Sequence, residues 1–381
     1  MTFLGKNRKF WAAVAALVGG TVGVGIFGMP FAFAKAGFWI GAAFLVPIAL
    51  ATLLVNLMYG EVILRTHDKH QLMGYTGRYL GPFFKAVIFF SATLTGYAAL
   101  LAYIIIAGDF LNSIFSQFFY GSLTMYSVCF FVIASLLVLR GLKLVSWIEL
   151  VLMGFFFVII GLFFVTGFSR IDFHNFLGQT REYAALPYGV LLFAFGGLMA
   201  VPIQRQILAG QERNMRRAIM YAVGIIAALY AIFAVTVVGV AGPVTSPDAV
   251  SGLFPFLGER VVVWASVFGI FAVSTSFLML GSALVDMFHF DFGVRRFPAW
   301  LLAVIPPLAL FLLGLRGFVD VISFTGGVAL GLEQLVIVLL YARAKRRGDR
   351  IPEYSLNIPR GLLYVIMAVF LAGVSYYLIA R

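Results

Sequence analysis

The feature that most limits what this chain can become is a series of long apolar stretches, each bounded by polar residues or by Gly and Pro. They fall at about residues 10 to 36, 39 to 65, 83 to 112, 121 to 140, 144 to 167, 187 to 210, 214 to 241, 261 to 288, 297 to 315, 318 to 341 and 360 to 380. A bilayer's hydrocarbon core is about 30 Å thick and takes roughly 20 apolar residues in a crossing helix, so each stretch reads as one span. The expected fold is all-α and integral to the membrane, with eleven transmembrane helices. Composition agrees: 62% of the 381 residues are hydrophobic and 11% charged, where a soluble domain carries about 25% charged. No room is left for a sizeable soluble domain.

A net charge of +12 would suit a nucleic-acid binder only if the basic residues gathered on one folded face. They do not. With the N-terminus in the cytoplasm, 21 of the 27 Lys and Arg fall on the cytoplasmic side and 6 on the other, the distribution of a multi-pass protein of the cell (inner) membrane. An odd number of crossings puts the C-terminus outside. The partner surface is therefore the lipid bilayer, and no nucleic-acid partner is expected; the oligomeric state stays open. Lys6 to Lys9, an apolar run and Ala32-Phe33-Ala34 loosely imitate a signal peptide, but the run is too long and too broken by Gly and Pro30 for cleavage to be expected.

Catalytic and redox chemistry find little to work with. Cys129 is the single cysteine, which excludes an internal disulfide, a Cys-rich metal site and a C-x-x-C pair. His67, His70, His174 and His289 fall in loops or at span ends, and no H-E-x-x-H, G-x-S-x-G or G-K-[ST] motif occurs. The chain does not read as an enzyme, and no organic cofactor is expected.

The stretch GGTVGVGIFGMPFAFAKAG, Gly19 to Gly37, contains G-x-G-x-x-G at Gly23, Gly25 and Gly28. A dinucleotide loop needs a preceding strand and an acid about 20 residues on, yet the first acid in the chain is Glu61. The glycines act otherwise. Each costs about 1 kcal/mol relative to Ala inside a helix, so Gly19, Gly20, Gly23, Gly25 and Gly28 break the first span ahead of Pro30. The sixth span is broken at Phe195-Gly196-Gly197, ahead of Pro202. Gly/Pro-interrupted helices at corresponding positions of two halves, here five spans apart and hence inverted, point to the central site of a transporter.

Unwound backbone at membrane depth must be buried in protein or line a cavity, where it can bind. The half-helix beginning near Ile26 turns its amide end to the gap and favours an anion. The half-helix ending at Gly19 to Val22 offers carbonyls that suit an ammonium or a small cation. An amino acid carries both charges. The competing reading is that Gly19-x-x-x-Gly23 and Gly37-x-x-x-Gly41 only let helices approach closely; recurrence of the break in the sixth span favours the ligand. The expected organisation is a transporter core over residues 1–345, with inverted repeats at about 10–167 and 187–341, followed by a cytoplasmic loop and the eleventh helix over 346–381.

GVGIFGMPFAFAKAGFWIG at 23 to 41 resembles the first helix of the amino acid/auxin permease family, in its bacterial aromatic amino acid permease branch within the amino acid, polyamine and organocation superfamily. ALLAYIIIAGDFL at 99 to 111, AFGGLMAVP at 194 to 202 and STSFLMLGSALVDMF at 274 to 288 are similar to that branch's third, sixth and eighth helices. The resemblance implies a LeuT-like fold of five plus five inverted helices, with substrate held between helices 1, 3, 6 and 8. It implies that Thr21, Val24 and Gly25 meet the substrate carboxylate and that the carbonyls of Phe193, Ala194 and Phe195 meet its ammonium. Gly196 leaves room for the side chain, and Tyr103 is a gate or pocket wall. In sodium-coupled relatives Ala272, Thr275 and Ser276, with carbonyls matching Gly19 and Val22, form a Na+ site. The same hydroxyls could equally bond back to their own helix, and proton-coupled members share similar residues, so the ion stays open. Relatives that replace sodium with a lysine carry it in helix 5, where residues 144 to 166 have none.

Acids inside spans are functional candidates by default. Asp109, Glu149, Asp286 and Asp320 lie at span ends. Glu61 precedes Arg65 by one helical turn, a favourable pair, and also stands where the family places a helix-2 acid, so a structural and a proton-coupling or gating role are both open. Glu333 lies deeper, in the tenth span, beside Gln334. The chain therefore reads as a secondary active transporter importing a neutral, large or aromatic amino acid with H+ or Na+ by alternating access. The alternative is a channel or substrate-sensing membrane protein of the same fold, which would not accumulate substrate.

Overall fold

The computed structural model describes residues 6–116, 120–141, 154, 158, 160–178 and 181–379. Helices α1 (Lys6–Thr21) and α2 (Gly25–Ala36) form one span, interrupted between them and bent by 58°. Then come α3 (Phe38–Leu64), the short α4 (Leu72–Leu80), α5 (Pro82–Phe115) and α6 (Leu123–Arg140). Residues 160 to 168 are helical. Helices α7 (Leu186–Ala194) and α8 (Ala200–Ile207) make a second interrupted pair, followed by α9 (Met215–Ala241), α10 (Glu259–Asp286) and α11 (Arg296–Leu312). Helix α12 (Phe318–Thr325) passes through a π-helical stretch, Gly326–Leu330, into α13 (Gly331–Arg347), and α14 (Arg360–Ile379) closes the chain.

Among the described residues, seven helices are long and apolar enough to cross a membrane, and the bent α1–α2 pair makes an eighth. Helix α11, at 17 residues, is shorter. Each expected span that these residues cover is helical, with most ends within a few residues of the limits read from sequence; α13 runs on through the basic cluster Lys345–Arg347. The fifth expected span, with Glu149, lies largely outside the described residues.

Local chemistry explains the turns. Gly37 at φ 103° takes a conformation that residues with a Cβ avoid, and so folds α2 back into α3. Gly81 at φ 93° does the same ahead of α5, whose first residue, Pro82, has no N–H to leave unsatisfied. Ser122 caps α6 by accepting from the Met125 amide at 3.2 Å.

Helix α5 is the central post, buried from Ala98 to Gly108 and packed against α4, α6, α10, α11 and α12. Helix α1 packs on α8 and α9, and α2 on α7. Helices α7 and α12 meet backbone to backbone: a Cβ on Gly189 would strike the Ser323 carbonyl, and one on Gly326 would strike the carbonyl of Gly189. Large apolar side chains such as Trp39, Phe83, Phe90 and Leu313 face outward and exposed, an arrangement suited to lipid rather than water. Cys129 is exposed among them.

Candidate functional site

The first break is built from backbone. The Val22 amide donates to the Val18 carbonyl at 2.8 Å, closing α1. Beyond it only tight turns form, from the Ile26 amide to Gly23 at 3.4 Å and from the Phe27 amide to Val24 at 3.1 Å. The Val24 and Gly25 amides, ahead of those turns, make no such bond among the described residues, and the positive end of the α2 dipole lies at the gap. The last carbonyls of α1 face it from the other side.

The second break uses the same device. The amides of Gly196 and Gly197 donate to the Phe193 and Phe195 carbonyls at 3.0 and 2.9 Å, short turns in place of helix. The Ala194 carbonyl accepts from the Tyr230 hydroxyl of α9 at 2.6 Å, and the Tyr230 ring lies edge-on to Phe195 with centroids 5.0 Å apart. One lone pair of that carbonyl is thereby taken, leaving the other for a ligand.

The two breaks face each other. A Cβ on Gly25 would lie 2.7 Å from the Ala194 Cα, and one on Gly20 would lie 2.9 Å from the Ala200 Cβ. A Cβ on Gly197 would run into the Thr21 hydroxyl, which is buried and has no hydrogen-bond partner. The glycines therefore serve close approach as well as unwinding, and neither reading of the sequence displaces the other.

Helices α5 and α10 complete the wall. Tyr103 is buried, and its hydroxyl pairs with that of Ser276. A Cβ on Gly23 would lie 3.9 Å from the Tyr103 hydroxyl and 4.0 Å from that of Ser276, so both reach the first break. The Phe27 ring packs edge-on against Phe110, centroids 5.1 Å apart. Thr21, Val24, Gly25, Ala194 and Phe195 are buried, whereas Gly19, Val22, Gly23, Phe193, Gly196, Ala272, Thr275 and Ser276 keep partial access. The Thr275 hydroxyl donates back to the Ala272 carbonyl at 3.0 Å; its lone pairs remain for a cation.

The acids separate sharply. The Glu61 side chain is fully buried and has three partners: Arg65, through both its terminal nitrogen at 2.7 Å and its Nε at 2.8 Å, the Ser355 hydroxyl at 3.1 Å and the Leu356 amide at 2.6 Å. The segment after α13 folds back to supply them. It is pinned further by the Asp349 and Arg350 amides on the Arg65 carbonyl, both 3.1 Å, and by the Tyr354 hydroxyl on the Leu57 carbonyl at 2.7 Å. Glu333 is also buried, but only hydroxyls reach it, Ser91 at 3.3 Å and Thr95 at 3.5 Å. Asp286 and Asp320 are exposed and Asp109 half-buried.

Two contributors escaped the sequence reading. Tyr230 could have been found as the hydroxyl nearest the middle of its apolar span, between Tyr221 and Thr236. The segment 349 to 356 has no periodicity to reveal it, though Asp349 and Glu353 stand out among basic neighbours.

A multi-pass helical bundle whose two broken spans face one another, lined by free amide and carbonyl ends, has the architecture of a membrane transport protein. The profile of the tryptophan/tyrosine permease family matches residues 6–379, and the chain belongs to that family, a family of transport permeases and not of enzymes. It is 27% identical to "Tyrosine-specific transport system 2" of Haemophilus influenzae, with 84% of each chain covered. It is 26% identical to "Tyrosine permease" of Enterobacter agglomerans, covering 95% of this chain and 92% of that one. Among solved structures it matches MhsT in complex with L-phenylalanine, with a TM-score of 0.67 at 16% identity over 97% of both chains. That likeness shows the LeuT-like fold.

Proposed function

We propose that this protein imports an aromatic amino acid, with tyrosine the first candidate, by secondary active transport driven by a cation, H+ or Na+. The observation that carries the reading is the meeting of the two breaks, where Thr21 and Gly25 abut Gly197 and Ala194. A substrate carboxylate placed there takes the amides of Val24 and Gly25 and the unpartnered Thr21 hydroxyl. Its ammonium takes the carbonyls of Phe193 and Phe195 and the second lone pair of Ala194. The side chain lies against Tyr103 as the wall or gate; the room expected at Gly196 is taken by Leu330, whose Cδ1 would lie 2.9 Å from a Cβ there. Gly19, Val22, Ala272, Thr275 and Ser276 are the donors for a coupling cation.

Relatives named for tyrosine transport and a structural neighbour holding L-phenylalanine support an aromatic substrate. On this reading the chain crosses the inner membrane eleven times from a cytoplasmic N-terminus, its residues 1–345 hold inverted repeats at about 10–167 and 187–341, and residues 346–381 add the cytoplasmic loop and last helix. The family also sits within the amino acid/auxin permease group that the motifs resemble. Uptake of labelled tyrosine into proteoliposomes under imposed sodium or proton gradients tests the proposal. Accumulation above the external concentration is expected under one of them; mere equilibration under both would indicate a channel and overturn it.

A further inference from the structure

Glu333 stands apart from every other acid in the bundle. It is buried on α13 just after the π-helical stretch, and among the described residues no basic side chain lies within ion-pair distance of it. Its two contacts come from α5. Thr95 is at 3.5 Å, the limit of a hydrogen bond, and Ser91, at 3.3 Å, donates more closely to the Ala329 carbonyl at 2.8 Å. The surroundings contain no compensating charge. From α3 comes Tyr59, whose buried hydroxyl has no partner. Next to it is Tyr75 of α4, ring centroids 6.1 Å apart, and beyond Tyr75 the half-buried His70 at 5.4 Å. From α14 come Ile366, Phe370 and Val374, all apolar. Lys85, the one base on α5, is exposed a helical turn and a half before Ser91 and forms no ion pair with Glu333 among the described residues.

An isolated carboxylate without a cation is costly at membrane depth. Glu61 avoids that cost with Arg65 and a backbone amide; Glu333 has no such escape except to carry a proton. We propose that Glu333 is a proton-binding site of the transport cycle, loaded as the neutral acid in this arrangement. This rests on the transport reading above and commits that reading to H+.

The test uses purified full-length protein in proteoliposomes with L-tyrosine as probe. In Glu333→Gln, tyrosine–tyrosine counterflow is expected to stay within about twofold of wild type while proton-gradient-driven accumulation falls at least roughly tenfold, the split between binding and coupling. Undiminished accumulation in Glu333→Gln would overturn the proposal. Absence of counterflow in the wild type would instead defeat the transport reading itself. A readout on the wild type guards against a variant that fails to fold. A hydrophobic carbodiimide attacks protonated carboxyls, so peptide mass mapping should find Glu333 modified, with a yield that declines as pH rises. A yield that is zero or independent of pH would overturn the proposal.

Discussion

At the scale of single residues, glycine has two separable effects in this chain, and the structure says where each applies. At Gly25 a methyl group would sit 2.7 Å from the Ala194 Cα, a backbone atom that cannot step aside. Gly25→Ala is therefore expected to lower stability by about 1–3 kcal/mol, as overpacking does, and to weaken substrate binding by parting the two breaks. At Gly224 of α9 nothing lies within 4 Å of the added carbon. There Gly→Ala should be neutral or stabilising by up to about 1 kcal/mol, from helix propensity alone. Thermal unfolding of the two variants in the same detergent checks the contrast; equal shifts would contradict it. From sequence, Gly25 reads as a helix breaker facing the ligand, with close helix approach as the competing reading for Gly19 to Gly28. Its packing partner was illegible because it stands far along the chain, in the other half.

At the scale of elements, the spans were legible because lipid imposes both a length and an apolar composition, and the breaks were legible because Gly and Pro interrupt that pattern. The fold-back of residues 349 to 356 onto α3 was not. Its hold on Glu61 runs through the Leu356 amide, which leaves no mark in side-chain pattern, and the hydroxyl of a single loop serine, Ser355. This segment joins the Glu61–Arg65 pair, adding the Ser355 hydroxyl and the Leu356 amide to the carboxylate. Glu61→Ala leaves the Leu356 amide without a partner and the Arg65 guanidinium with the Ser355 hydroxyl alone. The loss is expected to be about 3 kcal/mol, typical of breaking a buried pair, and to show as faster hydrogen exchange at Leu356; exchange at the wild-type rate would contradict the tie. At the exposed edge of the same segment, burial is the largest single influence and raises the Asp349 carboxyl, but the His67 amide, its own amide and Arg78 together outweigh it and hold the group below its ordinary value. A depressed carboxyl contributes stability above its unfolded pKa, and that contribution fades as pH falls through the folded one. Exchange protection at the His67 amide, which donates to Asp349 at 3.1 Å, should therefore be full at neutral pH and decline only on acidification below the normal aspartate range. Protection lost before that range would refute this assignment.

At the scale of the whole molecule, the account joins two half-helices from one end of the chain with two from its middle, so that neither half holds a site alone. The central claim is that the facing breaks grip the charged ends of an amino acid, with Thr21 on the carboxylate. Tyramine offers the same ring and ammonium without that carboxylate, so the pair isolates the group in question. Equilibrium binding of L-tyrosine and of tyramine to the wild type and to Thr21→Val is the most direct test. A hydrogen bond to a charged group contributes about 1.5–3 kcal/mol, so Thr21→Val should weaken tyrosine binding by roughly 10- to 100-fold and leave tyramine nearly unchanged. Equal losses for both ligands, or none for tyrosine, would contradict the account.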